Sequence, residues 1–198
     1  MNLPNKLTVG RFALTVVFLW ALFAPIPFHY TLALFFFCLA GVSDFLDGRI
    51  ARSRGLITNF GVLMDPLADK IMTCSAFIAF VESTHQGSHP PVTVEAWMVI
   101  IIVARELAIT GLRLLAASKN VVLAAERYGK HKTISQIVAI IALLVVDACN
   151  EWPSGLQHLL KGWVPAFAEA ALWLTVVLTT TSGILYLWRN RALYLSDV

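Results

Sequence analysis

Apolar residues gather into six long runs along the chain, separated by polar or proline-rich breaks. The runs cover residues 7–24, 30–52, 60–82, 93–118, 132–149 and 166–189. Because a helix needs about 20 predominantly apolar residues to cross a bilayer, the pattern predicts an all-α integral membrane protein with six transmembrane helices. No internal repeat or change in composition divides the chain, so we expect a single membrane domain over residues 1–198.

Lysine and arginine residues are distributed unevenly over the predicted loops. Short cytoplasmic loops of membrane proteins carry the excess of these residues. The asymmetry predicts that both termini face the cytoplasm, and without a cleavable targeting segment we expect the bacterial cytoplasmic (inner) membrane. With the N-terminus inside, the outer loops contain only Lys161, and the inner side receives Lys6, Arg11, Arg49, Arg52, Arg54, Arg113, Lys119, Arg127, Lys130, Lys132, Arg189 and Arg191.

The composition supports lipid as the main solvent. Of the 198 residues, 58% are hydrophobic and only 14% are charged, whereas soluble domains contain about 25% charged residues. A net charge of +3 is too small to indicate a nucleic-acid partner. The three cysteines, Cys38, Cys74 and Cys149, lie in or beside apolar runs and are interpreted as reduced packing residues.

Four aspartates interrupt the second and third apolar runs. Asp44 and Asp47 lie near the end of the second run, and Asp65 and Asp69 lie near the start of the third. An unpaired charge at the centre of a membrane helix costs about 2.5–3.5 kcal/mol. These carboxylates must therefore lie near the interface, be neutralised, or both.

Helical spacing places these aspartates on one face of each of two successive helices. Across a tight turn the two faces can meet, and their carboxylates supply the oxygen ligands that hard divalent cations such as Mg²⁺ require. The glycines leave room for a ligand, and Arg52 offers a cation for a phosphate. Helix capping could explain any single aspartate, but it does not explain the joint pattern. The faces are Asp44, Asp47, Gly48, Ala51 and Arg52, followed by Gly61, Asp65 and Asp69.

The joint pattern resembles the signature of the CDP-alcohol phosphatidyltransferase family at every position. Further stretches resemble the branch of that family that makes phosphatidylglycerophosphate, and the resemblance covers about residues 3–136. These stretches are residues 3–11, 65–70 and 129–133, and Ala104-Arg105-Glu106 with Arg113. The signature itself reads Asp44-x-x-Asp47-Gly48-x-x-Ala51-Arg52, eight residues, then Gly61-x-x-x-Asp65-x-x-x-Asp69.

The resemblance implies a fold and a reaction. The fold is six transmembrane helices in a homodimer, with a short N-terminal interfacial helix before the first span and an active site open to the cytoplasm. The reaction transfers the phosphatidyl group of CDP-diacylglycerol to glycerol-3-phosphate and releases CMP, with two divalent ions, Mg²⁺ or Mn²⁺. Both the donor and the product are membrane lipids.

The resemblance also implies roles for individual residues. Asp44, Asp47 and Asp65 are expected chiefly as metal ligands, and Asp69 both as a metal ligand and as the general base for the acceptor hydroxyl. The cytidine nucleotide is expected to contact Asn5, Thr8, Gly48, Arg52, Thr58 and Gly61.

The acceptor phosphate is a dianion, and its binding requires cations on the following helices. The candidates are Arg105, Arg113, Lys130 and Lys132. The two lysines could instead be ordinary positive charges on the cytoplasmic surface that attract anionic lipid. Arg105 directly follows the apolar stretch 99–103, where a charge needs an interior partner. Since Glu106 should point elsewhere on the helix, we expect Arg105 to face a polar cavity.

Three other functions are compatible with parts of the pattern. A member of the same family could use inositol phosphate, phosphatidylglycerol or serine as the acceptor. An intramembrane aspartyl protease needs two acids, and four acids with Arg52 and two glycines exceed that requirement. A six-span cation transporter would place its acids near the middle of the membrane, whereas these acids cluster toward one side.

Overall fold

The computed structural model describes the backbone of residues 3–54, 59–86, 91–119, 121 and 128–195. Within these ranges, the side chains of residues 3–7, 47–48, 50–63, 65, 84–86, 128–130, 192 and 195 lie outside the description. All the regular secondary structure in the described part of the chain is helical, and this part contains no strand. In chain order its helices are α1 (Leu3–Phe23), α2 (His29–Arg54), α3 (Asn59–Gln86), α4 (Ala96–Ser118), α5 (Tyr128–Ala148), a 3₁₀ turn (Cys149–Glu151), α6 (Ser154–Lys161), α7 (Val164–Arg189) and α8 (Arg191–Leu195).

Each predicted apolar run corresponds to one long helix, so the all-α prediction is confirmed. The runs became α1 to α5 and α7, with ends displaced by a few residues. Three described segments are long and apolar enough to cross a membrane, and α1 contributes a shorter apolar stretch over Thr8–Phe23. This finding is consistent with a membrane protein. The three segments are His29–Leu46, His131–Glu151 and Val164–Arg189.

Two elements differ from the sequence-based expectation. The expected N-terminal interfacial helix is not a separate element, because α1 runs without a break from Leu3 to Phe23. Pro4 lies in the first turn, where a proline interrupts no helical hydrogen bond, and no breaker follows it. In addition, part of the predicted outer loop forms the short helix α6. Pro153 immediately precedes it, and proline is favoured at helix starts.

The core consists of aromatic and aliphatic side chains separated by alanines. Phe18, Phe37 and Phe77 come from three different helices and are almost completely buried. Small residues at helix interfaces allow close approach of the backbones, and several alanines have no exposed surface. The main contacts are α1 with α2, α5 with α7, α1 with α3, α2 with α5, and α4 with α7. The fully buried alanines are Ala21, Ala33, Ala40, Ala76, Ala139, Ala148 and Ala168.

The outward surface carries many large apolar side chains. Val16, Trp20, Ile100 and Leu174 are each more than half exposed. Exposed apolar surface of this extent is unusual for a soluble monomer and typical of a surface that contacts lipid or another protein.

The start of α2 is tied to the end of α5 by one carboxylate. The Glu151 carboxylate accepts hydrogen bonds from the backbone N–H groups of Tyr30 and Thr31, at 2.9 and 2.8 Å. It also accepts one from the Thr31 hydroxyl, and the Trp152 indole N–H donates to the same hydroxyl oxygen. The first N–H groups of a helix have no partner within the helix, so Glu151 caps α2 from a distant part of the chain.

Candidate active site

The first component of the site is an ion pair between α1 and α2. The Arg11 guanidinium is completely buried, and its Nη1 lies 2.6 Å from Oδ1 of Asp44. The Asp44 side chain is 45% exposed, so the carboxylate is held from one side and open on the other. Thr8, which is also buried, lies one turn before Arg11 on α1. A buried arginine needs a charged partner, and this need fixes the position of Asp44.

Asp69 lies on α3 and interacts electrostatically with charges from several helices. Its partners are Arg11 and Asp44 of α1 and α2, and Glu106 and Lys132 of α4 and α5. Asp44 and Asp69, which the sequence predicts to act together, are therefore brought near each other by different helices. Both helices pack against α1.

The second group of charges is centred on Glu106. Its carboxylate oxygen Oε1 accepts hydrogen bonds from the Lys132 ammonium and from the Gln136 amide, the latter at 3.5 Å. Glu106, Lys132 and Gln136 are all buried. Lys132, a predicted acceptor-binding cation, is thus already paired with an anion, and the two lock α4 to α5.

The surroundings of Arg105 differ from the expectation in two ways. Nη1 of Arg105 lies 3.3 Å from Oε1 of Glu106, because the long arginine side chain turns back toward its neighbour on the helix. The expected polar cavity is instead an apolar cleft of about 290 Å³ between α4 and α7. The polar partners of Arg105 are the side chains of Glu106 and Ser182, the latter at 3.3 Å from Nη2. Cleft residues include Ile101, Ala104, Ala108, Ile109, Ile184 and Leu187.

Arg113 and Lys70 extend the charged region along α4. Nε of Arg113 donates to the Tyr186 hydroxyl at 3.4 Å, and the guanidinium carbon lies 5.8 Å from the centre of that ring. The Lys70 ammonium donates to the Thr110 hydroxyl, which in turn donates to the Glu106 backbone carbonyl at 2.7 Å. Lys70, which immediately follows Asp69 in the sequence, thereby links α3 to α4.

Several predicted residues lie outside the described side chains and stay predictions. Thr58 lies outside the described backbone as well. Asp47 is one helical turn after Asp44 on α2, and Asp65 is one turn before Asp69 on α3. Among described side chains, no three potential metal ligands of the His, Cys, Asp or Glu type gather together. The other predicted residues in this group are Asn5, Gly48, Arg52, Gly61 and Lys130.

Residues of α7 that sequence reasoning missed also contribute to the cluster. Ser182 and Tyr186 contact the two arginines of α4, and Gly183 packs against Arg105. The available signal was the polar stretch 179–182 inside an apolar run, followed by a glycine. Arg11 and Glu106 were visible as charges in the sequence, but their partners depend on helix packing.

Comparison with known proteins identifies a family and several relatives of this chain. The pattern that describes the family "CDP-alcohol phosphatidyltransferase" matches residues 1–181. A protein of Bacillus subtilis named CDP-diacylglycerol–glycerol-3-phosphate 3-phosphatidyltransferase is 38% identical over 96% of this chain and 95% of its own length. Proteins with the same name from Haemophilus influenzae and Rickettsia bellii are 32% and 31% identical, over 100% and 93% of this chain and 97% and 93% of their own lengths.

The chain belongs to the CDP-alcohol phosphatidyltransferase family.

The family match covers both groups of charges. It includes α1 to α5 and most of α7, and it ends at residue 181, one residue before Ser182. The alignments with the relatives extend over nearly the whole chain. In this member of the CDP-alcohol phosphatidyltransferase family, Asp44 of α2 and Asp69 of α3 interact with each other, and Asp69 also interacts with Glu106 and Lys132 of α4 and α5.

Proposed function

We propose that the chain transfers the phosphatidyl group of CDP-diacylglycerol to glycerol-3-phosphate, giving phosphatidylglycerophosphate and CMP. The observation that carries this proposal is that Asp69 interacts electrostatically both with the Arg11–Asp44 pair and with the Lys132–Glu106 pair. The carboxylates suit a diphosphate held through metal ions, and the cations around Glu106 suit a phosphorylated alcohol. The shared name of the relatives supports the same pair of substrates.

The charge of the cation cluster suits the acceptor. Arg105 and Lys132 contact the Glu106 carboxylate, whereas Arg113 contacts the Tyr186 hydroxyl, so the three cations and Glu106 together leave a surplus of two positive charges. Glycerol-3-phosphate is a dianion near neutral pH, since the second pKa of a phosphate monoester is about 6. Guanidinium groups bind phosphate through directed hydrogen bonds. We assign the acceptor phosphate to Arg105, Arg113 and Lys132, with Lys130 beside them.

Asp69 is the proposed general base. Its carboxylate takes the proton from the acceptor hydroxyl as the hydroxyl oxygen attacks the phosphorus next to diacylglycerol. The new P–O bond forms as the P–O bond to CMP breaks, and CMP leaves with the electron pair of that bond.

The carboxylates are also the proposed metal ligands. Asp44 and Asp69 are oxygen donors in electrostatic contact, and Asp47 and Asp65 lie one turn away on the same helices. This donor set fits two Mg²⁺ or Mn²⁺ ions. When bound, the ions supply positive charge to the diphosphate and the leaving phosphate. The nucleotide is assigned to Asn5, Thr8, Gly48, Arg52, Thr58 and Gly61.

We further propose that α1 to α5 and α7 span the bacterial inner membrane as one domain. Both termini and the active site face the cytoplasm in this arrangement, and two copies associate as a homodimer. The uneven distribution of lysine and arginine supports the orientation, and the exposed apolar surface supports both burial in lipid and pairing of copies.

The direct test is incorporation of labelled glycerol-3-phosphate into lipid by the detergent-purified chain with CDP-diacylglycerol and Mg²⁺. The expected product is labelled phosphatidylglycerophosphate, with one CMP for each lipid formed. Unlabelled inositol phosphate, serine and phosphatidylglycerol should compete weakly. Preferred use of any of these three, or CMP release without glycerol-3-phosphate incorporation, would overturn the acceptor assignment.

A further inference from the structure

The helix α7 lies outside the aspartate motif, yet it packs against the charged face of α4. Ile109 and Leu112 of α4 form a small apolar cluster with Tyr186 of α7, separate from the main core. This cluster holds the two helices together at the level of the arginines. The relative positions of the α4 arginines and the α7 side chains are thereby fixed.

Gly183 provides the space in which the Arg105 side chain lies. A Cβ atom at Gly183 would come within 2.8 Å of Cγ of Arg105, which is closer than real Cβ contacts allow. Gly111 of α4 offers a comparison, because a Cβ atom there would meet nothing within 4 Å. Any side chain at Gly183 must therefore displace Arg105, whereas one at Gly111 displaces nothing.

Ser182 fixes the end of the same arginine. Nη2 of Arg105 donates to the Ser182 hydroxyl oxygen at 3.3 Å, and that hydroxyl donates to the Thr179 backbone carbonyl at 3.2 Å. Nη1 is held by Glu106, while the buried Nε makes no hydrogen bond to any residue in the described part of the chain. Within the described part of the chain, two hydrogen bonds thus set the direction of the guanidinium, and one of them is donated to Ser182 of α7.

Tyr186 orients the guanidinium of Arg113 as Ser182 orients that of Arg105. Its side chain is almost fully buried, its hydroxyl accepts from Nε of Arg113, and its ring lies beneath the guanidinium. Ser182 and Tyr186 are four residues apart and so lie on the same face of α7. One face of this helix therefore supports both arginines.

We propose that Ser182, Gly183 and Tyr186 are positioning residues that orient Arg105 and Arg113 for the phosphate of the acceptor. This inference rests on the proposed function, because it assigns the two arginines to glycerol-3-phosphate. An arginine that is already oriented loses less conformational freedom on binding than a free one. Loss of the α7 contacts should thus weaken acceptor binding and leave the nucleotide side of the site unchanged.

The test is steady-state kinetics of purified variants with each substrate varied in turn. We expect Gly183→Ala to raise KM for glycerol-3-phosphate about tenfold, and Ser182→Ala and Tyr186→Phe to raise it about threefold to tenfold. The KM for CDP-diacylglycerol should stay within about twofold of wild type, and Ser182→Thr should restore the acceptor KM. The matched controls Gly111→Ala, Thr181→Ala and Tyr194→Phe should leave all constants unchanged.

A second measurement separates positioning from a general structural role. In an Arg105→Ala background, Gly183→Ala and Ser182→Ala should cause no further loss of kcat/KM for glycerol-3-phosphate. Independent losses in that background, a parallel change of both KM values, or a wild-type acceptor KM in all three variants would overturn the inference. If Gly183→Ala does not fold, Ser182→Ala and Tyr186→Phe decide the question.

The wild-type protein distinguishes failure of this inference from failure of the proposed function. Wild-type protein that does not use glycerol-3-phosphate refutes the function and the inference together. Wild-type protein that uses it, with α7 variants that bind it normally, refutes only the inference. Stabilisation of the protein against heat by glycerol-3-phosphate gives a binding readout that does not depend on turnover, and it should be reduced in the α7 variants.

Discussion

At the scale of single residues, the site depends on charges that are buried and paired. Arg11 and Asp44 form one pair, Glu106 and Lys132 form the other, and Asp69 interacts with both. In an apolar protein each of these charges would be costly alone. The pairs therefore explain how the chain keeps these charges in its interior.

Asp69→Asn should remove the general base while keeping the shape of the side chain. Because a positioned acid or base contributes about 10²–10⁴-fold to a rate, we expect CMP release to fall to background. Glu82→Gln, an exposed position on the same helix, is the control and should retain full activity. The fold of Asp69→Asn should be unchanged by size-exclusion chromatography, and full turnover in this variant would contradict the assignment of the base.

Arg11→Ala should destabilise the protein by leaving Asp44 without its buried partner. We expect a smaller loss than the ~3–5 kcal/mol seen for fully buried pairs, because the Asp44 carboxylate is partly exposed. Arg11→Lys, which keeps the charge, should lose less. Thermal unfolding in detergent measures both variants. Additive effects of Arg11→Ala and Asp44→Asn in a double-mutant cycle would show that the pair does not couple.

Arg113→Ala should chiefly raise KM for glycerol-3-phosphate, as should Lys130→Ala. A hydrogen bond to a charged group contributes about 1.5–3 kcal/mol, which corresponds to about 10- to 100-fold in KM. Arg191 is the matched control, since its guanidinium also lies over an aromatic ring, that of Trp188, at 4.7 Å. An unchanged acceptor KM in both Arg113→Ala and Lys130→Ala would contradict the assigned phosphate pocket.

At the scale of helices, the sequence predicted which segments are helical but not all of their contacts. The lengths of the apolar runs and their hydropathy depend only on neighbouring residues in the sequence. These features identified α1 to α5 and α7. The Arg105–Ser182 contact joins residues 77 positions apart, so no local pattern contains it. The turn of Arg105 back toward Glu106 was also missed, because helical spacing describes Cβ directions and not the ends of long side chains.

The Glu151 cap gives a prediction at this scale. Glu151→Ala removes the acceptor of two backbone N–H groups at the start of α2, and we expect a loss of about 1–3 kcal/mol in stability because these partly buried donors lose their partner. Glu169→Ala, at an exposed position on α7, should have little effect. Thermal unfolding measures both. Equal stability of Glu151→Ala and wild type would show that the link between α2 and the end of α5 does not hold the helix.

At the scale of the whole molecule, the chain separates an apolar body from one charged region. Asp44 of α2 and Asp69 of α3 converge with the Glu106–Lys132 pair of α4 and α5, while large apolar side chains cover the outer surface. The aspartate pattern could be predicted from the sequence because the four residues repeat at helical spacing. The contacts that α7 makes with the α4 arginines could not be predicted, because they depend on how the two helices pack against each other.

The central claim is that this convergence forms a divalent-ion-dependent phosphatidyl transfer centre. The most direct measurement is CMP release from CDP-diacylglycerol by the purified chain, with and without glycerol-3-phosphate, as the divalent ion is removed and restored. We predict that release requires glycerol-3-phosphate, stops with a chelator, and returns on addition of Mg²⁺ or Mn²⁺. Release at an undiminished rate in excess chelator, or no release under any of these conditions, would contradict the claim.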